Sequence, residues 1–310
     1  MLDKKGLRVW YEALRVFSYP ASIVPVLVGA VVAWQHVRVD LMLFVLTLFG
    51  SVAIQVGANL ANEYLDYVQG IDKMDSLGPA GVILRGELPA RQVFYAAVFA
   101  LAVGSAIGFI LVYEVGWFVL LIGVASVLAA WFYSAKPLAL GYSGLGELEV
   151  FVFMGPVMVI GSYFVQARML AWTPFLVSLP VGLLVTAILH ANNLRDVVQD
   201  DERERVTWVV LAGRWLGKEK GKAVSIWIYC MMILGSYVIM LVLAGFGLVP
   251  LLALLTILTA PQAFSLIKFA LSGVEGKPLN RLVRGTARFH MIFGCALALG
   301  YALNILLIQR

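Results

Sequence analysis

Two clusters of acidic and amide side chains interrupt otherwise apolar stretches of the sequence. The first cluster runs from residue 59 to 72 and the second from 190 to 201. Both contain the pattern Ala-Asn-x-x-x-Asp, at 61–66 and again at 191–196. The repetition predicts two related halves, each contributing one acidic helix end to a shared cavity, because membrane proteins often place their sites at repeat interfaces.

Helical spacing would bring the polar side chains of each cluster onto one face, at i, i+3 and i+7 in the first cluster and at i, i+4 and i+8 in the second. These residues are Asn59, Asn62 and Asp66, followed by Asn192, Asp196 and Asp200. An ionised aspartate costs about 2.5–3.5 kcal/mol near the centre of a bilayer, and converging carboxylates repel one another, so we expect a cation between them. Aspartate and amide oxygens suit Mg²⁺, which is often shared with substrate phosphates. The pattern indicates a metal-bridged diphosphate site, whereas either cluster alone is also compatible with a solvated helix end.

Basic residues close to the clusters are predicted to complete the phosphate site. They are Lys73, Arg85, Lys136, Arg195 and Arg203. Arg195 lies inside the second cluster, and Lys73 and Arg85 lie in a loop, 67–91, that is long enough to fold over the site as a lid. The alternative is that the loop residues are only the positive charges usual on the cytoplasmic side of a membrane protein.

A second group of residues is predicted to bind an acceptor or to stabilise a positively charged carbon. Tyr64, Tyr67 and Tyr133 could do so by cation–π attraction, although interfacial aromatic belts are the competing explanation. His190 precedes an Asn-Asn pair within an apolar helix, where a packing role is the alternative to acceptor binding. Asn59 and Asn193 are assigned to the same group.

The composition sets the environment in which these side chains must work. Of the 310 residues, 13% are charged and 62% are hydrophobic, and the mean hydropathy is +0.92. Soluble domains carry about 25% charged residues, and a globule of this size could not bury so much apolar surface. Disordered, coiled-coil, disulfide-rich and collagen-like architectures are excluded for the same reason. The chain is therefore predicted to be an all-α integral membrane protein.

Nine apolar runs are long enough, at about 20 residues each, to cross a bilayer. The predicted spans are 16–37, 42–66, 92–112, 116–134, 146–166, 172–193, 223–244, 248–270 and 289–308. Of the 23 Lys and Arg residues, only Arg38, Arg168 and Arg310 lie on the side opposite the N-terminus. This asymmetry places the N-terminus and the long loops in the cytoplasm.

The whole chain, 1–310, is predicted to form one transmembrane domain. Residues 1–15 would form an amphipathic interfacial helix, and loops 67–91 and 194–222 would form a cytoplasmic cap. The basic loops are expected to meet anionic lipid headgroups of the bilayer, and no basic face with interleaved aromatic residues suggests nucleic-acid binding. Cys230 and Cys295 lie in apolar runs and indicate neither a disulfide framework nor a zinc site.

The two clusters resemble the aspartate-rich motifs of the UbiA-type superfamily of intramembrane prenyltransferases. The matching patterns are Asn62-x3-Asp66-x5-Asp72 and Asn193-x2-Asp196-x3-Asp200. The sequence is most similar to the branch that prenylates 1,4-dihydroxy-2-naphthoate in menaquinone biosynthesis. The stretches that carry this similarity include Tyr19-Pro20-Ala21-Ser22, Gly144-Leu-Gly146-Glu147, Gly155-Pro156, Tyr163-Phe164-Val165-Gln166 and Asn192-Asn193-Leu-Arg195-Asp196. Two features depart from the family pattern: Glu63 stands where many relatives have Asp, and the segment after Asp200 lacks the usual Gly-Lys step.

The resemblance implies nine transmembrane helices around a central cavity, with a cytoplasmic cap over the motifs, in the cell (inner) membrane. It implies Mg²⁺-dependent transfer of a polyprenyl group from polyprenyl diphosphate to an aromatic acceptor, which in the naphthoate branch replaces a carboxylate lost as CO₂. The implied ligands of two Mg²⁺ ions are Asn62, Asp66, Asp72, Asn193, Asp196 and Asp200. Arg195 would act with the aspartates in catalysis, and Lys73, Arg85, Lys136, Arg203 and Asn62 would bind the diphosphate.

Two alternatives stay open at this point, and a third is disfavoured. Within the enzyme class, the acceptor could be 4-hydroxybenzoate, homogentisate, a porphyrin or a glycerol phosphate. A cation-coupled transporter could also combine inverted repeats with intramembrane carboxylates, although transporters generally place charges near the bilayer midplane on broken helices. A structural subunit would have no use for two matched acidic clusters.

Overall fold

The computed structural model describes residues 4–71, 77–78 and 81–308, in which all regular structure is helical. One isolated bridge, between Ser143 and Val206, is the single β-type pairing in that part of the chain. The α-helices are α1 (Lys4–Ala13), α2 (Pro20–Ala33), α3 (Leu41–Val68), α4 (Ala90–Val115), α5 (Trp117–Phe132), α6 (Gly146–Val152), α7 (Met158–Ala167), α8 (Trp172–Glu202), α9 (Trp208–Leu216), α10 (Lys218–Gly245), α11 (Ala260–Ala270) and α12 (Asn280–Ile308).

Each of the nine predicted spans contains helix, and the prediction of an all-α membrane protein is confirmed. Among the described residues, seven helical segments are long and apolar enough to cross a membrane, and a pair bent by 44°, Gly6–Ser18 with Pro20–Ala33, raises the number to eight. The helix Trp117–Phe132 is apolar but short. Nine crossings, a cytoplasmic N-terminus and two repeated halves therefore stay predictions.

Several helices are irregular for reasons visible in the sequence. Phe153–Val157 forms one π-helical turn between α6 and α7, because Pro156 has no N–H to donate and its ring would clash with the preceding turn. Leu251–Thr259 is 3₁₀-helical before α11 begins. The bend before α2 follows Arg15, which has a left-handed backbone conformation with φ 50°.

The helix α8 is longer than the span 172–193 predicted for it. It continues to Glu202, so residues 194–202 are helical and do not belong to a loop. Leu194, Arg195 and Asp200 are buried there, and no glycine or proline interrupts the segment. The second polar cluster therefore lies on a continuous helix, as its i, i+4 and i+8 spacing requires. Likewise, α12 begins at Asn280, earlier than the predicted 289.

The hydrophobic core is centred on α8, which contacts α2, α6, α7, α9, α10 and α12. Of the apolar span of α8, 72% is buried inside the protein, against 17% for α3. Val177, Val181 and Leu184 are fully buried in this core, and the free thiol of Cys230 is buried in it as well. Because α8 is held from all sides, it can fix the polar cluster at its end.

Close helix contacts depend on glycine at two places. A Cβ atom on Gly29 of α2 would lie 2.7 Å from Ser162 Cβ and 2.9 Å from the Tyr163 nitrogen of α7. A Cβ on Gly104 of α4 would lie 2.7 Å from Ile54 Cγ1 of α3. Small residues four apart on a membrane helix, such as Gly104 and Gly108, are typical of packing positions, but Gly108 has open space where a Cβ would be and lines the cavity described below.

We expect Gly29→Ala to destabilise the protein, because its methyl group would meet backbone atoms of α7 that cannot move aside. Overpacking of this kind costs about 1–3 kcal/mol. Gly245→Ala in α10 is the matched control, since a Cβ there meets no atom within 4 Å. The measurement is the thermal unfolding midpoint of the purified protein in detergent. A Gly29→Ala midpoint equal to that of Gly245→Ala would contradict the packing described here.

Candidate active site

The carboxylate of Asp66, near the C-terminal end of α3, lies at the centre of a buried polar network. Asp66 is 2% exposed. Its Oδ1 accepts a hydrogen bond from the Tyr142 hydroxyl, and its Oδ2 accepts one from Asn62 Nδ2 at 3.2 Å. Asn62 Nδ2 also lies 2.7 Å from Ser134 Oγ and 2.8 Å from Tyr142 Oη, and Asn62 Oδ1 accepts from Arg15 Nη2 at 2.7 Å. These hydrogen bonds hold Asn62, the first residue of the first motif, beside Asp66.

Arg205 joins this network to the second acidic cluster. Its Nη2 donates to Asp66 Oδ2 at 3.1 Å, and its Nη1 lies 3.5 Å from Asp200 Oδ1. The guanidinium also stacks over the Tyr142 ring, 4.0 Å from the centroid. The acidic ends of α3 and α8 therefore meet, as the sequence pattern predicts, and in this structure the cation between Asp66 and Asp200 is an arginine.

Two loops position Tyr142 and Arg205 side by side. The Gly144 nitrogen donates to the Val206 oxygen at 2.7 Å, and the Val206 nitrogen donates to the Tyr142 oxygen at 3.0 Å. These two backbone hydrogen bonds hold the two loops together and so bring the side chains of Tyr142 and Arg205 next to each other.

Charge and protonation in this pair follow from burial and proximity. Burial alone would lower the pKa of Arg205, but its interactions with Tyr142, Asp66 and Asp200 outweigh burial and raise that pKa above its ordinary value. Burial, followed by the neighbouring Asp66 carboxylate, raises the pKa of the Tyr142 phenol well above its ordinary value. The guanidinium thus stays charged and the hydroxyl stays protonated, so both can donate to Asp66.

Asp196 is paired with an arginine from its own helix. Arg195 donates from Nε to Asp196 Oδ1 at 2.8 Å and from Nη2 to Asp196 Oδ2 at 2.5 Å. Arg195 also donates to Asn192 Oδ1 at 2.7 Å and to Asn280 Oδ1 at 2.8 Å. Gly78 lies against this guanidinium, because a Cβ there would be 2.6 Å from Arg195 Nη2. Part of the 67–91 loop therefore lies over the second cluster.

The other predicted diphosphate ligands have varied positions. Asp72 and Lys73 lie outside the described residues. Arg85 forms ion pairs with Glu12 of α1, at 3.3 Å, and with Glu87, at 2.8 Å. Lys136 is exposed after α5, and Arg203 caps the C-terminal end of α8. Their binding of a diphosphate stays a prediction.

Glu63 adopts a role of its own beside the motif. It is 1% exposed, and its Oε1 accepts hydrogen bonds from the backbone nitrogens of Gly81, at 2.8 Å, and Ile83, at 3.4 Å. The residue that departs from the family pattern therefore ties the 67–91 loop to α3.

Three residues predicted to bind the acceptor or a cation pack between helices. His190 is fully buried, with Nε2 2.9 Å from the Ser225 oxygen and Nδ1 3.5 Å from Glu147 Oε1. Asn193 donates to Glu147 Oε1 at 2.7 Å. The Tyr64 ring lies 4.9 Å from the Phe94 ring. These contacts favour the packing interpretation for His190 and turn Asn193 towards α6.

A cavity of about 500 Å³ begins beside the two clusters and runs between α2, α3, α4, α5, α7 and α8. Its polar end is lined by Arg15, Asn59, Asn62, Tyr133 and Asn192. The remaining wall is mostly apolar. Phe109, Val124 and Leu128 line the cavity and are at least 50% exposed, so the cavity is open along this apolar part of its wall.

The donor set of the clusters fits a magnesium ion in its chemistry. Asp66, Asp196 and Asp200 offer carboxylate oxygens, which are the hard ligands that Mg²⁺ prefers. Each of these three carboxylates is contacted by a guanidinium. The guanidiniums supply the positive charge that a bound metal ion would otherwise supply. Within the described residues, no group of three or more His, Cys, Asp and Glu side chains is close enough to hold a metal.

Arg205 and Tyr142 were not identified from the sequence. Arg205 lies only two residues after Arg203, the arginine that the sequence predicts to bind the diphosphate. Helical spacing could not show which of the two side chains reaches the site, because α8 ends at Glu202, before both of them. Tyr142 lies in an irregular loop, where no periodicity predicts the direction of a side chain. Arg15 was assigned to the interfacial helix, yet its side chain turns inward to Asn62.

We expect Arg205→Gln to lower the thermal unfolding midpoint in EDTA, because it leaves Asp66 and Asp200 close together without their shared cation. Removing one partner of a buried pair costs about 3–5 kcal/mol. Mg²⁺ should restore much of this loss, so the Mg²⁺-induced rise in midpoint should be larger in Arg205→Gln than in the unmodified protein. Arg214→Gln, which removes an exposed pair with Asp201 at 2.9 Å, should change little. A smaller Mg²⁺ response in Arg205→Gln than in the unmodified protein would contradict a cation site between Asp66 and Asp200.

Similarity to known proteins extends over most of the chain. The profile of the UbiA prenyltransferase family matches residues 22–276. The 1,4-dihydroxy-2-naphthoate octaprenyltransferase of Bacillus subtilis (strain 168) is 31% identical over 304 residues, which cover 97% of this chain and 94% of that protein.

Two solved structures share the fold at low sequence identity. The apo structure of a UbiA homolog from Aeropyrum pernix K1 aligns with a TM-score of 0.66 at 15% identity, over 93% of this chain and 97% of that one. A UbiA homolog from Archaeoglobus fulgidus, bound to DMAPP and Mg²⁺, aligns with a TM-score of 0.56 at 13% identity, over 93% of this chain and 98% of that one. With the family match over residues 22–276, the conclusion is that the chain belongs to the UbiA prenyltransferase family and is a prenyltransferase of the multi-pass membrane type.

Proposed function

We propose that the protein transfers a polyprenyl group from polyprenyl diphosphate to 1,4-dihydroxy-2-naphthoate, releasing CO₂ and diphosphate and giving demethylmenaquinol, the reduced form of demethylmenaquinone. The observation that supports it is the meeting of Asp66 and Asp200 at one guanidinium, beside the polar end of a largely apolar cavity. The name of the similar protein from Bacillus subtilis supports the naphthoate as the acceptor.

The ionic head of the donor binds at the acidic helix ends. Asp66, Asp72, Asp196 and Asp200, with Asn62 and Asn193, are the proposed ligands of two Mg²⁺ ions. When bound there, Mg²⁺ neutralises the charge that develops on the diphosphate as the allylic C–O bond breaks. Carboxylates released from Arg205 and Arg195 become available as ligands, and the released guanidiniums can bind diphosphate oxygens. Lys73, Arg85, Lys136 and Arg203 are proposed to contribute in the same way.

The tail of the donor lies in the apolar part of the cavity. Each buried CH₂ group favours an apolar environment by about 0.8 kcal/mol. Because Phe109, Val124 and Leu128 connect the cavity to the lipid-facing surface, the tail can enter from the bilayer without crossing water. The apolar wall also excludes water, which would otherwise capture an allylic cation.

The acceptor ring lies between the head and tail of the donor. Tyr133 and Asn59 line the cavity, which supports the proposal that they contact the ring or the developing cation. Tyr64, His190 and Asn193 would act from behind that wall. The site is proposed to open towards the cytoplasm in the cell (inner) membrane.

We expect Asp66→Asn and Asp196→Asn each to lower turnover at least about 100-fold, because each removes a charge that stabilises the leaving diphosphate through its metal. The measurement is the rate of prenyl transfer by purified protein in detergent, with the unfolding midpoint as a check on folding. Asp201→Asn, at an exposed position on the same helix as Asp196, should retain activity. Near-normal transfer by both Asp66→Asn and Asp196→Asn would show that the ligand assignment is wrong.

We also expect EDTA to stop the reaction and Mg²⁺ to restore it, because the converging carboxylates need a cation before they can hold a diphosphate. The assay offers farnesyl diphosphate with 1,4-dihydroxy-2-naphthoate, 4-hydroxybenzoate, homogentisate, a porphyrin or a glycerol phosphate. Mass spectrometry should find a prenylated naphthoquinol that has lost CO₂. Metal-independent transfer would contradict the proposed site, and exclusive use of another acceptor would contradict the proposed substrate.

A further inference from the structure

One buried carboxyl group on the cavity wall has no role in the contacts described so far. Glu149 of α6 lines the cavity and is only 9% exposed. Its Oε2 is fully buried and has no hydrogen-bond partner among the described residues. Burying a carboxyl group without a partner is costly, so the residue must either lower stability without benefit or receive its partner from a ligand.

The other buried glutamates nearby show what a structural carboxylate looks like in this fold. Glu147, two residues earlier, accepts a hydrogen bond from Asn193 at 2.7 Å. Glu63 accepts from the backbone of the 67–91 loop. Glu149 differs from both because it lines the cavity and its buried Oε2 has no hydrogen-bond partner among the described residues.

The surroundings of Glu149 fit an aromatic, hydroxylated ligand. It shares the wall with Tyr133, Phe153 and Met154, which offer flat or adaptable apolar surfaces. Arg15 lines the same cavity as Glu149 and Tyr133, so one acidic and one basic side chain share its wall with an aromatic residue. A ligand with a carboxylate and a hydroxyl could direct the first towards Arg15 and the second towards Glu149.

We propose that Glu149 binds a ring hydroxyl group of the aromatic acceptor, as the residue that recognises the phenol. This inference rests on the proposed function. In 1,4-dihydroxy-2-naphthoate, the 1-hydroxyl is adjacent to the carboxylate, whereas the 4-hydroxyl points away from it. With the carboxylate of the ligand directed towards Arg15, the 4-hydroxyl on the far side of the ring is therefore the group that donates to Glu149. Such a hydrogen bond also draws electron density into the ring, which favours its attack on the prenyl carbon.

The first test separates acceptor binding from donor binding. Initial rates are measured with varied 1,4-dihydroxy-2-naphthoate at saturating farnesyl diphosphate, and then with the two roles exchanged. Glu149→Leu should raise the KM for the naphthoate about 10- to 100-fold, as expected for loss of a hydrogen bond to a charged group, with the KM for the donor within about twofold. Glu149→Gln, which keeps the size, should show a smaller rise. Glu114→Gln, at an exposed position near the end of α4, is the matched control and should change neither constant.

The second test uses an acceptor that lacks the relevant hydroxyl. Binding of 1-hydroxy-2-naphthoate and of 1,4-dihydroxy-2-naphthoate is titrated in the absence of donor. The unmodified protein should prefer the dihydroxy compound by about the factor lost in Glu149→Leu, and Glu149→Leu should bind the two compounds equally. A preference retained in Glu149→Leu, or a parallel rise in the KM of the donor, would overturn the proposal.

Folding and the wider function are controlled separately. Glu149→Leu removes an unpartnered carboxyl group from an apolar wall, so its unfolding midpoint should equal or exceed that of the unmodified protein; a lower midpoint would mean that Glu149 is a structural residue and would also overturn the proposal. If the unmodified protein prenylates another phenol and no naphthoate, the proposed function fails. The inference is then tested with that phenol and its deoxy analogue. It would still be supported if the unmodified protein bound the phenol more tightly than the analogue and Glu149→Leu bound the two equally.

Discussion

The arrangement of this protein depends on two carboxylates that are brought together at the ends of two long helices. Asp66 lies near the C-terminal end of α3 and Asp200 near the C-terminal end of α8, and a single guanidinium contacts both. Without a cation, this geometry would be repulsive in a region of low dielectric. The long helix α8, the paired loops around Tyr142 and Val206, and the buried position of Asp66 all serve to maintain it.

The polar network and the apolar cavity are parts of one site because two asparagines belong to both. Asn62 contacts Asp66 and also lines the cavity, and Asn192 does the same for Asp196 through Arg195. A substrate with an ionic head and a hydrocarbon tail could therefore contact the polar network with its head and the apolar cavity with its tail, on either side of Asn62 and Asn192. Neither environment alone would distinguish a prenyl diphosphate from a lipid or from a soluble phosphate.

Much of this could be predicted from the sequence, because it depends on local periodicity. Helical spacing correctly grouped Asp66 with Asn62 and Asp196 with Asn192, and apolar runs located the helices. Contacts between distant segments could not be predicted in this way. Arg205 and Tyr142 meet only because two irregular loops pair, His190 could not be distinguished from a packed histidine, and Gly108 proved to face open space. The length of α8 was underestimated because polar residues at a helix end look like a loop when their buried partners are unknown.

The opening beside Phe109, Val124 and Leu128 has a consequence for how the proposed reaction would be supplied. A closed cavity limits the length of the prenyl chain by its volume. A cavity with a lateral opening lets the isoprene units that do not fit extend into the lipid bilayer. The length of the prenyl chain in the product would then depend on which donors the cell synthesises and not on the volume of the cavity. Finished quinol would leave by the same route and diffuse in two dimensions, never meeting the aqueous phase on its way to the electron carriers that use it.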